Sequence, residues 1–327
     1  MFKRTAESVS PKHPDKICDQ ISDAILDAYL ANNPDARVAV ETCGGHGVVF
    51  IVGEVTSKSP RPDINKIIQR ITDKDDYDVH IKLVEQSPEI AQGVDTGGAG
   101  DQGIMLGYAT DETEELLPRE VVLARQLNEQ IFAAYPYDGK TQVTINSDGT
   151  IDSIVASFQN VSRDKLGSIV NDFIKKNNLM PARPESPIEL HLNPAGDWQL
   201  GGFDADTGLT GRKLIVDNYG PRIPIGGGAF SGKDPSKVDR SAAYMARRIA
   251  VDYLRARHAH EVLVRLAYAI GHASPLEQTV IIDGQPEAIE GYDLTPQGII
   301  KYLDLKRPIY EATARYGHFG HAFPWDN

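Results

Sequence analysis

Gly226-Gly227-Gly228-Ala229-Phe230-Ser231-Gly232-Lys233-Asp234-Pro235-Ser236-Lys237-Val238-Asp239-Arg240 packs glycines, lysines and carboxylates into one short stretch of a 327-residue chain. From Gly227 it runs G-x-x-x-x-G-K, but Asp234 follows where a P-loop needs Ser or Thr to reach magnesium. The run Leu214 to Ile225 before it is interrupted by Pro221 and Pro224, which a central strand does not tolerate. A P-loop is therefore rejected, while its physical logic stands: glycines let backbone N–H groups approach phosphate oxygens, and lysines supply point charges. Pro235 marks a helix start, with Lys237 and Asp239 in its first turns and Asp239 placed to hold a phosphate-bridging metal. By themselves these residues also fit a solvated helix start behind a glycine loop.

The surroundings sharpen the contrast. The chain carries a formal net charge of −12, which argues against a nucleic-acid partner, since a phosphate backbone needs a basic face. Yet six Lys/Arg against four Asp lie between Asp206 and Arg240. A locally basic, glycine-rich window in an acidic protein points to a small anionic ligand or to an ordinary basic patch. Hydrophobic content of 41% and charged content of 24% are those of a globular protein. No apolar run is long enough to span a membrane, and no signal peptide is expected. Cys18 and Cys43 lack metal-ligand spacing, so a reducing cytoplasm is the simplest setting.

Outward from the glycine stretch, the patterns alternate between strands and amphipathic helices. A helix is expected from Pro14 to about Asn32, strands at Val38–Val40 and Val48–Thr56, a helix at Ile64–Ile71 and a strand at Val79–Val84. Gly93–Gly107 reads as a functional loop. Helices follow from Pro118 and over Lys165–Asn177, with a hairpin at Gln142–Asn146 and Ile151–Ser157 and a strand at Ile188–Leu192. The last third should hold a short strand at Leu214–Val216, a helix from Pro235 to about Arg257, strands at Val262–Ile270 and Thr279–Asp283, and a helix near Pro296–Leu303. The expected fold is α+β: three similar α/β units, mixed sheets covered by helices, in a pseudo-threefold arrangement. The expected domains are 1–97, 98–199 and 200–327.

Three other segments carry possible chemistry. His13-Pro14-Asp15-Lys16 sets an imidazole, a carboxylate and an ammonium at a helix N-terminus, which suits an anion with a metal or a plain cap. The acids Asp15, Asp19, Asp23 and Asp27 are spaced four apart; beyond Asp15 they read as a solvated face. Asp206-Thr207-Gly208-Leu209-Thr210-Gly211-Arg212-Lys213 follows a turn with adjacent cations. His318 and His321, among Tyr316, Phe319, Phe323 and Trp325, read as a tail packed onto the body.

Taken in order, Glu7-Ser8-Val9-Ser10, His13-Pro14-Asp15-Lys16, Gly98-Ala99-Gly100-Asp101-Gln102-Gly103, Gly208-Leu209-Thr210-Gly211-Arg212-Lys213 and the Gly227–Tyr244 stretch resemble the S-adenosylmethionine synthetase (methionine adenosyltransferase) family, over nearly the whole chain. The resemblance implies attack of methionine sulfur on ribose C5′ of ATP, departure of the triphosphate, and its hydrolysis to phosphate and pyrophosphate. It implies His13 at the ribose–triphosphate junction. Asp15 and Asp239 correspond to ligands of two Mg²⁺ per site, and Glu41 to the carboxylate of a K⁺ site. Lys140, Arg212, Lys213 and Lys233 correspond to triphosphate holders with catalytic roles. Asp138, Trp198, Asp206 and Ala229 match nucleotide-binding positions, and Glu54, Gln92, Asp206 and Lys237 match methionine-binding ones. A homodimer with active sites between subunits, or a dimer of dimers, is implied as well.

The chain departs from the family pattern in places. Only eight residues separate Gln92 from Asp101, where a longer mobile loop is common, so a shortened lid is expected. Asp197 stands where a basic residue is common, and Pro224-Ile225 where a His often precedes the glycines. A kinase-like ATPase and a non-catalytic nucleotide-binding subunit are the alternatives; Asp234 counts against the first, and the presence of His13 and the lysines against the second.

Overall fold

The computed structural model describes residues 2–86, 97–183 and 185–327. Three four-stranded sheets, each backed by helices, make up the molecule. The first third contributes β1 (Lys3–Val9), α1 (Pro14–Leu30), β2 (Arg37–Gly45), β3 (Val48–Thr56), α2 (Ile64–Thr72) and β4 (Asp78–Val84). The middle contributes β5 (Gly103–Thr110), α3 (Arg119–Ala134), β6 (Gly139–Asn146), β7 (Ile151–Phe158), α4 (Arg163–Lys176) and β8 (Glu189–Leu192). The last third holds β9 (Gly208–Leu209), α5 (Leu214–Asp217), α6 (Val238–Arg257), β10 (Glu261–Tyr268), β11 (Glu277–Ile282), β12 (Gln285–Ala288) and α7 (Pro296–Tyr302).

The sheets run β9-β2-β3-β4, β1-β6-β7-β8 and β5-β10-β11-β12. In each, a hairpin is flanked on one side by a strand borrowed from another third of the chain, and one long helix covers that strand and its neighbour. Thus α1 lies on β2 and β9, α3 on β1 and β6, and α6 on β5 and β10. Two sheets close with a parallel strand reached through a helix, β3 to β4 and β7 to β8, whereas β11 and β12 are antiparallel. The exchanged strands stitch the thirds together. One continuous core lies under the first and third sheets, and a second fills the middle unit around Leu127, Val143 and Phe158.

Three expected elements need correction, and β1 had no forecast. Gly103–Thr110 is not loop but β5, buried between β10 and α6. Its glycines serve close approach: a Cβ on Gly107 would stand 2.0 Å from the Ala246 carbonyl carbon, so α6 rests directly on the strand backbone. Leu214–Asp217 is a helical turn rather than a strand, because buried Asp217 turns inward to accept the Lys16 ammonium at 2.5 Å. The helix expected from Pro235 begins at Val238, after Lys237 at the cap position. β1 went unforeseen because its polar residues hide a partly buried pattern.

The C-terminal tail packs as expected. Trp325 stacks on Tyr244, fully buried His318 pairs through Nδ1 with the Tyr244 hydroxyl at 2.7 Å, and burial drives the His318 pKa far down. Among the described residues no helix is long and apolar enough to cross a membrane.

Candidate active site

The edge of β2 away from β3 organises the site. Leu209 and Gly208 pair with Cys43 and Gly44, and Thr210 N–H donates to the Thr42 carbonyl. Further along, Val40 N–H donates to Gly232 O, Lys233 bridges to Ala39, and Asp234 N–H donates to Val38 O. Two glycine loops from the last third therefore lie end to end along one strand. They bring Arg212, Lys213 and Lys233 to the same edge. Four steps of β2 separate Cys43 from Ala39, about 13 Å.

At the near end, His13 caps α1 and its Nδ1 accepts the Asp15 N–H at 3.2 Å. With Nδ1 occupied as an acceptor, the neutral ring carries its proton on Nε2. Burial, reinforced by Lys213 and Lys140, lowers the His13 pKa to about 3, so the ring is neutral at physiological pH. Asp15 accepts from Leu209 N–H at 2.9 Å and from Lys213 Nζ at 2.5 Å. Burial opposes its ionisation, but the Lys213 ammonium and the Leu209 N–H outweigh it and pull its pKa below the usual value. Arg212 is more than half exposed, with Nε 3.9 Å from Asp15.

At the far end, Lys233 Nζ lies 2.6 Å from Asp239 Oδ2. Ala229 joins the two loops: a Cβ on Gly211 would stand 2.5 Å from the Ala229 Cβ. Lys237 turns back onto Asp234 at 2.5 Å, and Asp234 also accepts Val38 N–H at 2.6 Å. Asp234, the residue that broke the P-loop pattern, is the clasp that fastens this loop to β2.

Other expected positions fall around this edge. Asp138 accepts from Gly202 N–H at 3.0 Å; burial raises its pKa, and Lys140 opposes that. Asp206 lies near enough to influence both His13 and Asp138. Trp198 donates its indole N–H to Ser157 Oγ at 3.2 Å and lies against Gly201. Glu41 and Glu54 project from the uncovered face of β2 and β3, away from the buried clusters. Gln92, and with it the first half of the short segment before Asp101, lies outside the described residues.

The reading of Asp19, Asp23 and Asp27 as a solvated face is overturned. Asp19 and Asp23 have no exposed surface. Asp19 accepts Gly211 N–H, Asp23 accepts Gly232 N–H, and Asp27 accepts the N–H groups of Tyr310 and Glu311. Asp23 is also gripped by fully buried Arg240 through two bonds of 2.6 and 2.9 Å. Lys16, likewise fully buried, sits between Asp19 at 3.1 Å and Asp217 at 2.5 Å. Four-residue spacing does put these acids on one helix face. The face is buried because segments of the chain's last third, around Gly211, Gly232 and Tyr310, close over it. An unbroken apolar stripe beside the acids was the available signal that this helix had little surface left for water.

Comparison with known proteins agrees with this geometry. The family models described as S-adenosylmethionine synthetase, N-terminal, central and C-terminal domain match residues 1–96, 96–198 and 200–327. The S-adenosylmethionine synthase of Deinococcus deserti is 42% identical over 384 aligned positions, covering 98% of this chain and 95% of that protein. Those of Nocardia farcinica and a Nocardioides species are each 43% identical, covering 99% and 98% of this chain and 95% and 94% of theirs. The 384-position alignment outruns the 327-residue chain, so this is a shortened relative. The chain belongs to the S-adenosylmethionine synthetase family.

Proposed function

We infer that the chain forms S-adenosylmethionine from L-methionine and ATP, and that the β2 edge holds the leaving triphosphate. The observation that carries this reading is the convergence on one strand of two glycine loops bearing Arg212, Lys213 and Lys233, beside His13 and Asp15. Methionine sulfur is already a good nucleophile, so no general base is required. The demand is to position the reactants and to stabilise a highly charged leaving group. His13, neutral with its proton on Nε2, is suited to donate to the departing ribose oxygen. Lys213 and Lys233 rest on Asp15 and Asp239; each is free to turn to phosphate oxygens once a cation takes over its carboxylate. Lys140, Asp138, Asp206, Trp198 and Ala229 complete the nucleotide side, with Trp198 as the adenine platform. Glu54, Gln92, Asp206 and Lys237 are assigned to methionine.

Asp15 and Asp239 fit two Mg²⁺ ions. Both are hard oxygen donors, and Mg²⁺ takes one or two carboxylates while leaving its other places to phosphates and water. When bound, the ions would neutralise triphosphate charge. Glu41 is assigned to K⁺.

The two carboxylates lie near opposite ends of the β2 edge. A homodimer is the assembly proposed with this reading. The uncovered face of β2 and β3 is suited to pairing, since Phe50 and Val52 are each nearly half exposed on it. The segments 1–97, 98–199 and 200–327 serve as the sequence domains, exchanging strands as described. Free Cys18 and Cys43 suit a reducing cytoplasm.

The test is direct. Purified protein with ATP, methionine, Mg²⁺ and K⁺ should yield S-adenosylmethionine with one phosphate and one pyrophosphate. Release of orthophosphate without a sulfonium product would overturn the reading.

A further inference from the structure

We propose that Asp19 and Asp23 of α1 are positioning residues for the reaction, each anchoring a left-handed glycine that aims the triphosphate-binding cations after it. The inference rests on the reading that Arg212, Lys213 and Lys233 hold the triphosphate. The same local device occurs twice. Gly211 (φ +78°) donates its N–H to Asp19 Oδ1 at 2.8 Å and is followed by Arg212-Lys213. Gly232 (φ +81°) donates its N–H to Asp23 Oδ1 at 2.8 Å and is followed by Lys233.

Each glycine is required by its surroundings. A Cβ on Gly232 would fall 1.9 Å from Val40 O, and one on Gly211 would fall 2.5 Å from Ala229 Cβ. Positive φ reverses the chain there, so the backbone N–H points into the helix while the next residue leaves it. Asp19 and Asp23 are one helical turn apart, so the two anchors sit about 6 Å from each other along α1. A rigid helix thus sets the spacing between two groups of cations on separate loops. The second anchor is itself held: Arg240 clasps Asp23 and donates to Lys233 O at 3.1 Å. The first is backed by Lys16, which ties Asp19 to Asp217 at the end of the turn that follows Lys213.

Asp27 supplies a control within the same helix. It makes the same kind of bond, to Tyr310 and Glu311, but no proposed triphosphate-binding cation follows those residues. Asp19→Ser should weaken binding of inorganic tripolyphosphate in Mg²⁺ by at least about tenfold, the worth of a lost hydrogen bond to a charged group. It should lower kcat as well. Asp19→Asn keeps an acceptor for the Gly211 N–H and should recover most of the affinity. Asp27→Ser should lower the melting temperature but leave tripolyphosphate affinity unchanged well below it. Equal losses in the Asp19→Ser and Asp27→Ser variants would overturn the proposal.

Lys233→Met distinguishes the two readings. If it binds tripolyphosphate normally, the triphosphate assignment itself fails; if it loses binding while Asp19→Ser does not, only the anchoring fails. Amide hydrogen exchange on the unliganded wild-type protein needs no variant. Gly211 and Gly232 should exchange as slowly as the β2 amides, and exchange at the rate of an open loop would also overturn the proposal.

Discussion

Lys233 reaches the β2 edge on a loop whose Asp234 is clasped to Val38, and its ammonium rests on Asp239. In the proposed reaction a cation held this way would meet the charge that develops as the triphosphate leaves, and such preorganised contacts are large terms in catalysis. Lys233→Met and Lys140→Met should each lower kcat by about 10²–10³, measured as S-adenosylmethionine formed per enzyme under saturating substrates. Asp27 allows a pH test on stability. Burial raises its pKa to about 7, against the backbone N–H groups of Glu311 and Tyr310. The folded protein therefore holds this proton more tightly than the unfolded chain does. The resulting stabilisation is present at acid pH and is lost as pH rises through 7. Asp27→Asn, always neutral, escapes that loss, so its melting temperature minus the wild-type value should grow more positive from pH 5 to pH 8. A flat difference would mean that Asp27 is already ionised at pH 5. The basic and acidic positions of the site were legible as residue types in the sequence. The burial of Asp19 and Asp23 was not, because a helix face looks the same whether water or another part of the chain covers it.

At the scale of elements, most helices and strands follow from periodicity, since α1, α2 and the β6–β7 hairpin carry clear 3.6- or 2-residue patterns. β5 does not, and the reason is physical. Its glycines suppress the strand signal while permitting α6 to approach the backbone, a requirement visible only once the partner is known. Gly107→Ala should therefore cost at least roughly 1–3 kcal/mol as an overpacking change, read from denaturant unfolding. The same substitution at Gly47, where an added Cβ meets nothing within 4 Å, should be penalised only through its positive φ. A smaller loss at Gly107 than at Gly47 would contradict the close packing of α6 on β5. Strand exchange was likewise hidden: the pairing of β9 with β2 joins residues more than 160 positions apart, and no local pattern announces such a partner.

For the whole molecule, the three sheets differ in what covers them. The outer face of β2–β4 presents Phe50, Val52 and Val84, each nearly half exposed, with Phe50 stacked on His80 and with Glu41 and Glu54 among them. Apolar surface mixed with a few charges in this way suits contact with a second copy. Symmetry about that contact would bring the same face of each chain together, the usual arrangement of a two-fold homodimer. In the proposed dimer, Glu41 and Glu54, assigned to K⁺ and methionine, would lie at that contact. Assembly and turnover are then one property. Phe50→Glu with Val52→Glu points only into this face, away from the core residues Val49 and Ile51, so the protomer should keep its fold. The expected outcome is a monomer by analytical ultracentrifugation, with helical circular dichroism retained and S-adenosylmethionine synthesis lost. A double variant that sediments as the wild-type oligomer would place the contact on another face, and a monomer with full activity would refute the shared site.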